Sequence, residues 1–308
     1  MSLPAPPRLA DESAEFVLRR LELTVRRKLD GLLHGNHLGL LPGAGTEAGE
    51  SRIYHPGDDV RRMDWPVTAR TTVPHIRQTI VDREMETWVV LDLSASLDFG
   101  TALCEKRDLA IAGLAAISYL TMHGGNRLGA VITTGTQVIR IPARSGRAAG
   151  NRLLRIAATT DRAESGRRGD LGAALELLRR PPRRRGLVVV ISDFLGDISW
   201  QRPLRGLGAR HDVLAIEVMD PRELELPDIG LVTMVDPESG ETIEVPTQRK
   251  DVREGFARAA QVQRAEIATA LRRAGAGHLT LRTDREWLLD IVRFVANRRH
   301  TASGGASR

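Results

Sequence analysis

Thr87-Trp88-Val89-Val90-Leu91-Asp92-Leu93-Ser94-Ala95-Ser96 is the stretch whose reading decides the fold. From Thr87 to Leu93 it is apolar and β-branched, without the polar alternation of a strand that faces water on one side. This predicts a strand buried on both faces, as the strands of parallel sheets are. Val188-Val189-Val190-Ile191-Ser192-Asp193 repeats the pattern and also passes from an apolar run into oxygen-bearing side chains. Between the two, helical spacing predicts helices over 103–122, 148–158 and 171–178, with a strand at 128–134 and a segment, 137–142, placed to pair back against it.

Past Asp193 the alternation continues with a helix over 200–207 and a strand over 212–219. Prolines at 221, 227, 237 and 246 then interrupt it, and two short strand candidates flank Pro237-Glu238-Ser239-Gly240, which predicts an inserted hairpin within 220–246. A helix over 252–274, a strand over 278–282 and a helix over 285–298 complete the order. Strand-helix alternation of this kind defines an α/β fold, a doubly wound, mostly parallel sheet with helices on both faces. Such sheets gather ligands at the carboxyl ends of their strands, where the strand order reverses.

On the N-terminal side, Phe16, Val17, Leu21, Leu23, Val25, Leu29, Leu32 and Leu33 predict an amphipathic helix over 15–33. Glycines crowd residues 35–49, marking a loop, and residues 75–82 read as a strand. The expected organisation is an N-terminal region, 1–84, a sheet domain, 85–300, with its insert at 220–246, and a disordered tail, 301–308.

The 308 residues are 42% hydrophobic and 27% charged, which excludes disordered and fibrous classes. Of 45 basic residues only Lys28, Lys106 and Lys250 are lysine, so the formal charge of +6 rests on arginine. Arg179-Arg180-Pro181-Pro182-Arg183-Arg184-Arg185 is the densest run and is expected to be a solvated loop at the amino edge of the sheet. Aromatic residues are only 4%, which argues against a base-stacking surface. Cys104 is the single cysteine, and residues 1–16 carry prolines and acids where a secretory signal has an apolar core, so a reducing, cytoplasmic location is expected. The longest nearly apolar run, 109–122, falls short of the roughly 20 residues a membrane span needs. No clustered cysteine or histidine supports zinc.

Asp92, Ser94 and Ser96 stand at every second position past the first buried strand, so in extended backbone they share a face. A carboxylate with two hydroxyls is a hard-oxygen set suited to Mg²⁺ or Mn²⁺. Asp193 ends the second buried strand, and parallel strands deliver their ends to one edge, as a shared site requires. The same serines and aspartates are also common helix caps. In Tyr54-His55-Pro56-Gly57-Asp58-Asp59-Val60-Arg61-Arg62-Met63-Asp64-Trp65 a Pro-Gly turn is followed by three carboxylates, Asp58, Asp59 and Asp64, that Arg61, Arg62 and Arg70 can pair with. Trp65 is expected to anchor the segment in an apolar pocket. The segment reads either as a structural staple or as a partner-recognition surface.

Asp92, Ser94 and Ser96 match the Asp-x-Ser-x-Ser motif of von Willebrand factor A-like domains, and Asp193 matches their later aspartate; in those domains the set is a metal-ion-dependent adhesion site. The Tyr54 to Trp65 stretch, with Ala69-Arg70, resembles the motif of the MoxR-associated von Willebrand A-like proteins, domain-of-unknown-function family 58. The resemblance is clear over residues 49–246. It implies a cytoplasmic bacterial protein that works beside a MoxR-type AAA+ ATPase, binds rather than catalyses, and leaves one metal position open for a partner's carboxylate. Arg168-Gly169-Asp170 departs from the family pattern by placing Gly169 where a threonine ligand stands. Metal binding is therefore expected to be weak, with Asp170 as a substitute ligand or as the cap of the helix that follows.

The expected function is a non-enzymatic, divalent-metal-dependent protein-binding module, an adaptor or co-chaperone for the ATPase and an unknown client protein. No Gly-x-x-x-x-Gly-Lys loop gives the chain an ATP site of its own. The alternatives are a metal-dependent phosphohydrolase with Asp92 as nucleophile, which lacks the second acid where Ser94 stands, and arginine-driven nucleic-acid binding.

Overall fold

The computed structural model of the chain describes residues 19–21, 23–25, 51–55, 60, 63–77, 86–122, 126–135, 137–163, 169–179, 185–196, 198–237 and 239–304. It divides into two units, Leu41–Glu84 and a larger one made of Met1–Leu40 with Met85–Arg308.

In the smaller unit, β1 (Ser51–Ile53) and β2 (His75–Arg77) pair antiparallel on either side of a helix, α1 (Trp65–Thr71). Asp64 starts that helix. One carboxylate oxygen accepts the Val67 N–H at 3.3 Å and the other the Ser51 hydroxyl at 2.6 Å, while Pro66 occupies the first turn, where no donor is needed. The Asp64 N–H donates to the His75 carbonyl at 2.7 Å and the Tyr54 N–H to the Pro74 carbonyl at 2.8 Å, tying the ends of the segment together. Trp65 is not the expected anchor: it is 68% exposed. As the first residue of a helix that buries none of its side chains, it has no apolar surface beneath it. Arg70 is likewise exposed, and Asp64 serves as cap; Pro56, Gly57, Asp58, Asp59 and Arg61 lie outside the described residues.

The larger unit runs β3 (Glu86–Asp92), α2 (Lys106–Met122), β4 (Arg127–Thr133), β5 (Val138–Ser145), α3 (Arg147–Thr159), α4 (Leu171–Arg179), β6 (Leu187–Ser192), α5 (Gln201–Gly208) and β7 (Asp212–Met219). After the insert, β8 (Leu231–Val235) and β9 (Thr242–Pro246), come α6 (Lys250–Arg273), β10 (Gly277–Arg282) and α7 (Trp287–Gly304). Six strands form one sheet in the order β10-β7-β6-β3-β4-β5. All pairs are parallel except β5, which folds back antiparallel on β4 as its sequence predicts.

Alternation along the strands loads both faces. Trp88, Val90, Val188 and Val190 pack with Leu171, Leu175, Trp200, Leu204 and Leu271, so α4, α5 and α6 cover one face. On the other lies α2, in which only Tyr119 and Met122 escape burial. A helix apolar nearly all round must sit between layers, and its Gly113 lies against the Leu281 and Ile191 side chains. From β3 the chain steps outward through β4 and β5, then returns to the other side of β3 as β6. The strand order therefore reverses between β3 and β6.

Two expectations on organisation change. The N-terminal helical residues 19–21 and 23–25 belong to the larger unit, with Leu21 and Val25 buried, so the amphipathic face is used there and not in a separate 1–84 region. The last helix continues to Gly304, past the start of the expected tail, because Thr301, Ala302 and Ser303 place no breaker ahead of the glycine at which it ends. Residues 26–50, 180–184 and 305–308, and with them the glycine-rich loop and most of the arginine run, lie outside the described residues. The insert is a two-stranded antiparallel sheet of its own, turned by Gly240 at φ +74° and by the Ser239 hydroxyl on Asp236 at 2.6 Å. Among the described residues no helix is long and apolar enough to cross a membrane.

Candidate functional site

Asp92 is the last residue of β3, and Ser192 and Asp193 end the neighbouring β6, so the first carboxylate and the second meet at the reversal point. One Asp92 oxygen accepts the Ser94 N–H at 2.9 Å, and the other accepts the Ser192 hydroxyl at 2.7 Å across the two strands. The chain then tightens into a single 3₁₀ turn, Ala95–Leu97, which brings the Ser94 and Ser96 hydroxyls to 3.3 Å. Ser96 also helps to hold the Asp193 carboxyl down. Asp92, Ser94, Ser96 and Asp193 thus gather into one buried set, each at most 7% exposed. Asp92 is therefore an interior residue and not the solvent-facing one that its position after a strand suggests.

Backbone strain follows Asp193 directly. Phe194, directly after it, is held at φ +56°, a left-handed conformation unfavourable for a bulky L-residue by roughly 1–2 kcal/mol. Its ring packs edge-on against Trp200 with centroids 5.1 Å apart, and its N–H donates to the Ser192 hydroxyl at 3.0 Å. The bend turns the Leu195 N–H onto the Asp193 carboxylate at 3.1 Å. Strained backbone of this kind gathers at sites where geometry matters more than local stability.

Just ahead of α4, Gly169 reaches the set. A β-carbon there would lie 2.8 Å from the Ser94 β-carbon, 3.1 Å from its hydroxyl oxygen and 3.9 Å from an Asp92 oxygen. Glycine is what allows this backbone to close over the motif. Asp170 caps α4 through the Ala173 N–H at 2.7 Å and is exposed, so it is a helix cap and not a substitute ligand. Arg107, itself buried, ties Asp98 at 3.3 Å and the Thr160 carbonyl together, linking the turn after β3 to the end of α3.

Sequence reasoning missed the cation of the site. The Lys106 ammonium donates to Asp193 at 2.8 Å and also to Glu223. Glu223 accepts from Arg264 at 2.9 Å and from the Asp220 N–H at 3.1 Å. Arg264 also reaches Glu217 at 2.7 Å, and Glu217 meets His278 at 2.8 Å. The available signal was compositional: Lys106 is one of three lysines in an arginine-rich chain, placed at the start of a buried helix. Burial above all, with Asp193 beside it, pushes the Asp92 carboxyl up. Burial pushes on Asp193 too, but the Lys106 ammonium and the hydrogen bonds from Lys106, Leu195 and Ser96 bring its carboxyl below the usual range. Of the two, Asp92 holds a proton the more readily.

Among the described residues no group of three or more His, Cys, Asp or Glu is placed to hold a metal ion. The set at the β3 and β6 ends is of another kind, two carboxylates and hydroxyls. Its hard-oxygen chemistry, two carboxylates and two hydroxyls from adjoining strand ends, suits a small divalent cation.

Fold and site together define an α/β protein with a carboxylate-hydroxyl set at the switch point of its sheet. Residues 50–266 match the family described as "Protein of unknown function DUF58", and the chain belongs to that family. It is 61% identical over 295 residues to the "Uncharacterized protein Rv1480" of Mycobacterium tuberculosis, covering 96% of this chain and 93% of that protein. To the "Uncharacterized protein MAV169" of Mycobacterium avium it is 58% identical over 166 residues, 54% of this chain and 98% of the other. Among solved structures it is similar to the conserved hypothetical protein BatB of Bacteroides thetaiotaomicron, at 15% identity, 69% and 98% coverage of the two chains, and a TM-score of 0.43. A von Willebrand factor type A structure from Catenulispora acidiphila is similar at 16% identity, 61% and 43% coverage, and a TM-score of 0.31.

Proposed function

We propose that this chain is a non-enzymatic protein-binding module, an adaptor or co-chaperone for a MoxR-type AAA+ ATPase, and that it binds through the carboxyl edge of its sheet. One observation carries the reading: Asp92, Ser94, Ser96 and Asp193, from the ends of two strands, converge in one buried set at the point where the strand order reverses. Asp92, Ser94, Ser96 and Asp193 would hold a Mg²⁺ or Mn²⁺ ion weakly, and that ion would supply an electrophilic contact for a partner's carboxylate. The ATPase as partner is supported by the resemblance of the Tyr54 to Arg70 motif, whose Trp65 stands out in solvent as a ready contact.

Asp92→Ala would leave the Ser94 N–H and Ser192 hydroxyl without an acceptor in the interior, so the suitable variant is Asp92→Asn, which keeps an oxygen in place. In a pull-down with the ATPase at matched salt, Asp92→Asn is expected to retain several-fold less partner than the native chain, with an unchanged circular dichroism spectrum. Full retention by the folded variant would refute the role given to the site.

A further inference from the structure

Lys106 is fully buried, its side chain 1% exposed, and its ammonium bonds two acids at once, Asp193 and Glu223. Neither contact is easily given up. Glu223 is fixed by Arg264 and by the Asp220 N–H, and Asp193 by the Leu195 N–H, so an ammonium that swung away would leave the buried Asp193 carboxylate without its ion pair. The position also suits lysine: a compact ammonium on a flexible stem fits between two carboxylates where a planar guanidinium needs a fork of acceptors. In a chain whose 45 basic residues include only three lysines, this is the deepest cationic position among the described residues.

Asp193 is at the same time one of the four residues that would hold a divalent ion. A cation from solvent and the chain's own ammonium compete for the same negative charge, and their mutual repulsion is strong where water is excluded.

We infer that Lys106 is the resident cation of the site: it neutralises Asp193, keeps the four-oxygen set in shape with no metal bound, and sets the low affinity of that set for divalent ions. This rests on the reading of the set as a metal site. It assigns the weakness of binding to a positive charge inside the fold and not to the ligand missing at Gly169.

Calorimetric titration of the whole chain with MgCl₂ tests the inference, using the native protein, Lys106→Met, Lys106→Arg and the double variant Lys106→Met/Asp92→Asn. Lys106→Met is expected to bind Mg²⁺ at least tenfold more tightly than the native chain, Lys106→Arg about as weakly as the native chain, and the double variant not at all. Binding by Lys106→Met no tighter than native, yet abolished by Asp92→Asn, overturns the role of Lys106 and leaves the metal site standing. Absence of binding by both the native chain and Lys106→Met overturns the two together. If Lys106→Met does not fold, Lys106→Gln is read in its place, since its amide still donates to Asp193; a rise in its thermal midpoint with Mg²⁺ larger than the native rise supports the inference, and an equal rise overturns it.

Discussion

A threonine at position 169 would have to place its β-carbon 2.8 Å from that of Ser94, closer than packed carbons come. Sequence comparison with adhesion-site motifs suggests that Gly169→Thr would restore a ligand and tighten metal binding; the structure leaves no room for it. The expected outcome is destabilisation by about 1–3 kcal/mol, as for other overpacked interior positions, measured by urea unfolding, with no gain in Mg²⁺ affinity. Trp65 calls for the opposite expectation to that of a buried aromatic. At 68% exposure its replacement by alanine should change stability by no more than about 0.5 kcal/mol. The same variant should reduce retention of the ATPase if Tyr54 to Arg70 is a contact surface, which the pull-down described above reads directly. Loss of several kcal/mol in Trp65→Ala would instead restore the staple.

At the level of strands and helices, β6 and β7 are tied at their amino ends by His211. Its Nδ1 accepts the Gly186 N–H at 3.3 Å, which requires the neutral ring. Burial first, then the charges of Arg210 and Arg185, holds its pKa below the ordinary 6.5. A folded value below the unfolded one means that the contribution is complete above pH 6.5 and is lost as pH falls through the folded value. Thermal midpoints should therefore decline below pH 6.5 by more in the native chain than in His211→Gln, whose amide does not titrate; parallel declines would show that His211 is not the group responsible. These elements were legible because their signals are local. Val188 to Ile191 announces a doubly buried strand, and residues 212–219 are a strand in sequence and structure alike. The contacts of Lys106 were not, since Asp193 and Glu223 lie 87 and 117 residues away and no local pattern encodes such a pairing. Trp65 misled for a related reason: its chemistry favours burial, but whether a helix has anything to bury against is decided by its surroundings.

Over the whole molecule, the sheet follows from its alternation and the rule that parallel crossovers keep one hand. The parallel pairing that the alternation implies also puts Asp92 and Asp193 on one edge. It does not say that they end up in the interior, because closure depends on Gly169, on the left-handed Phe194 and on Arg107 drawing two loops together. The far side of the same sheet has a consequence of its own. β5 is one of the two edge strands, Pro142 within it has no N–H to offer, Arg140 and Arg144 are exposed, and its register against β4 shifts between Leu128 and Ala130. A second molecule approaching that flank in crowded solution meets an interrupted ladder and two like charges, so a sheet whose inner strands are apolar on both faces is guarded there against sideways pairing.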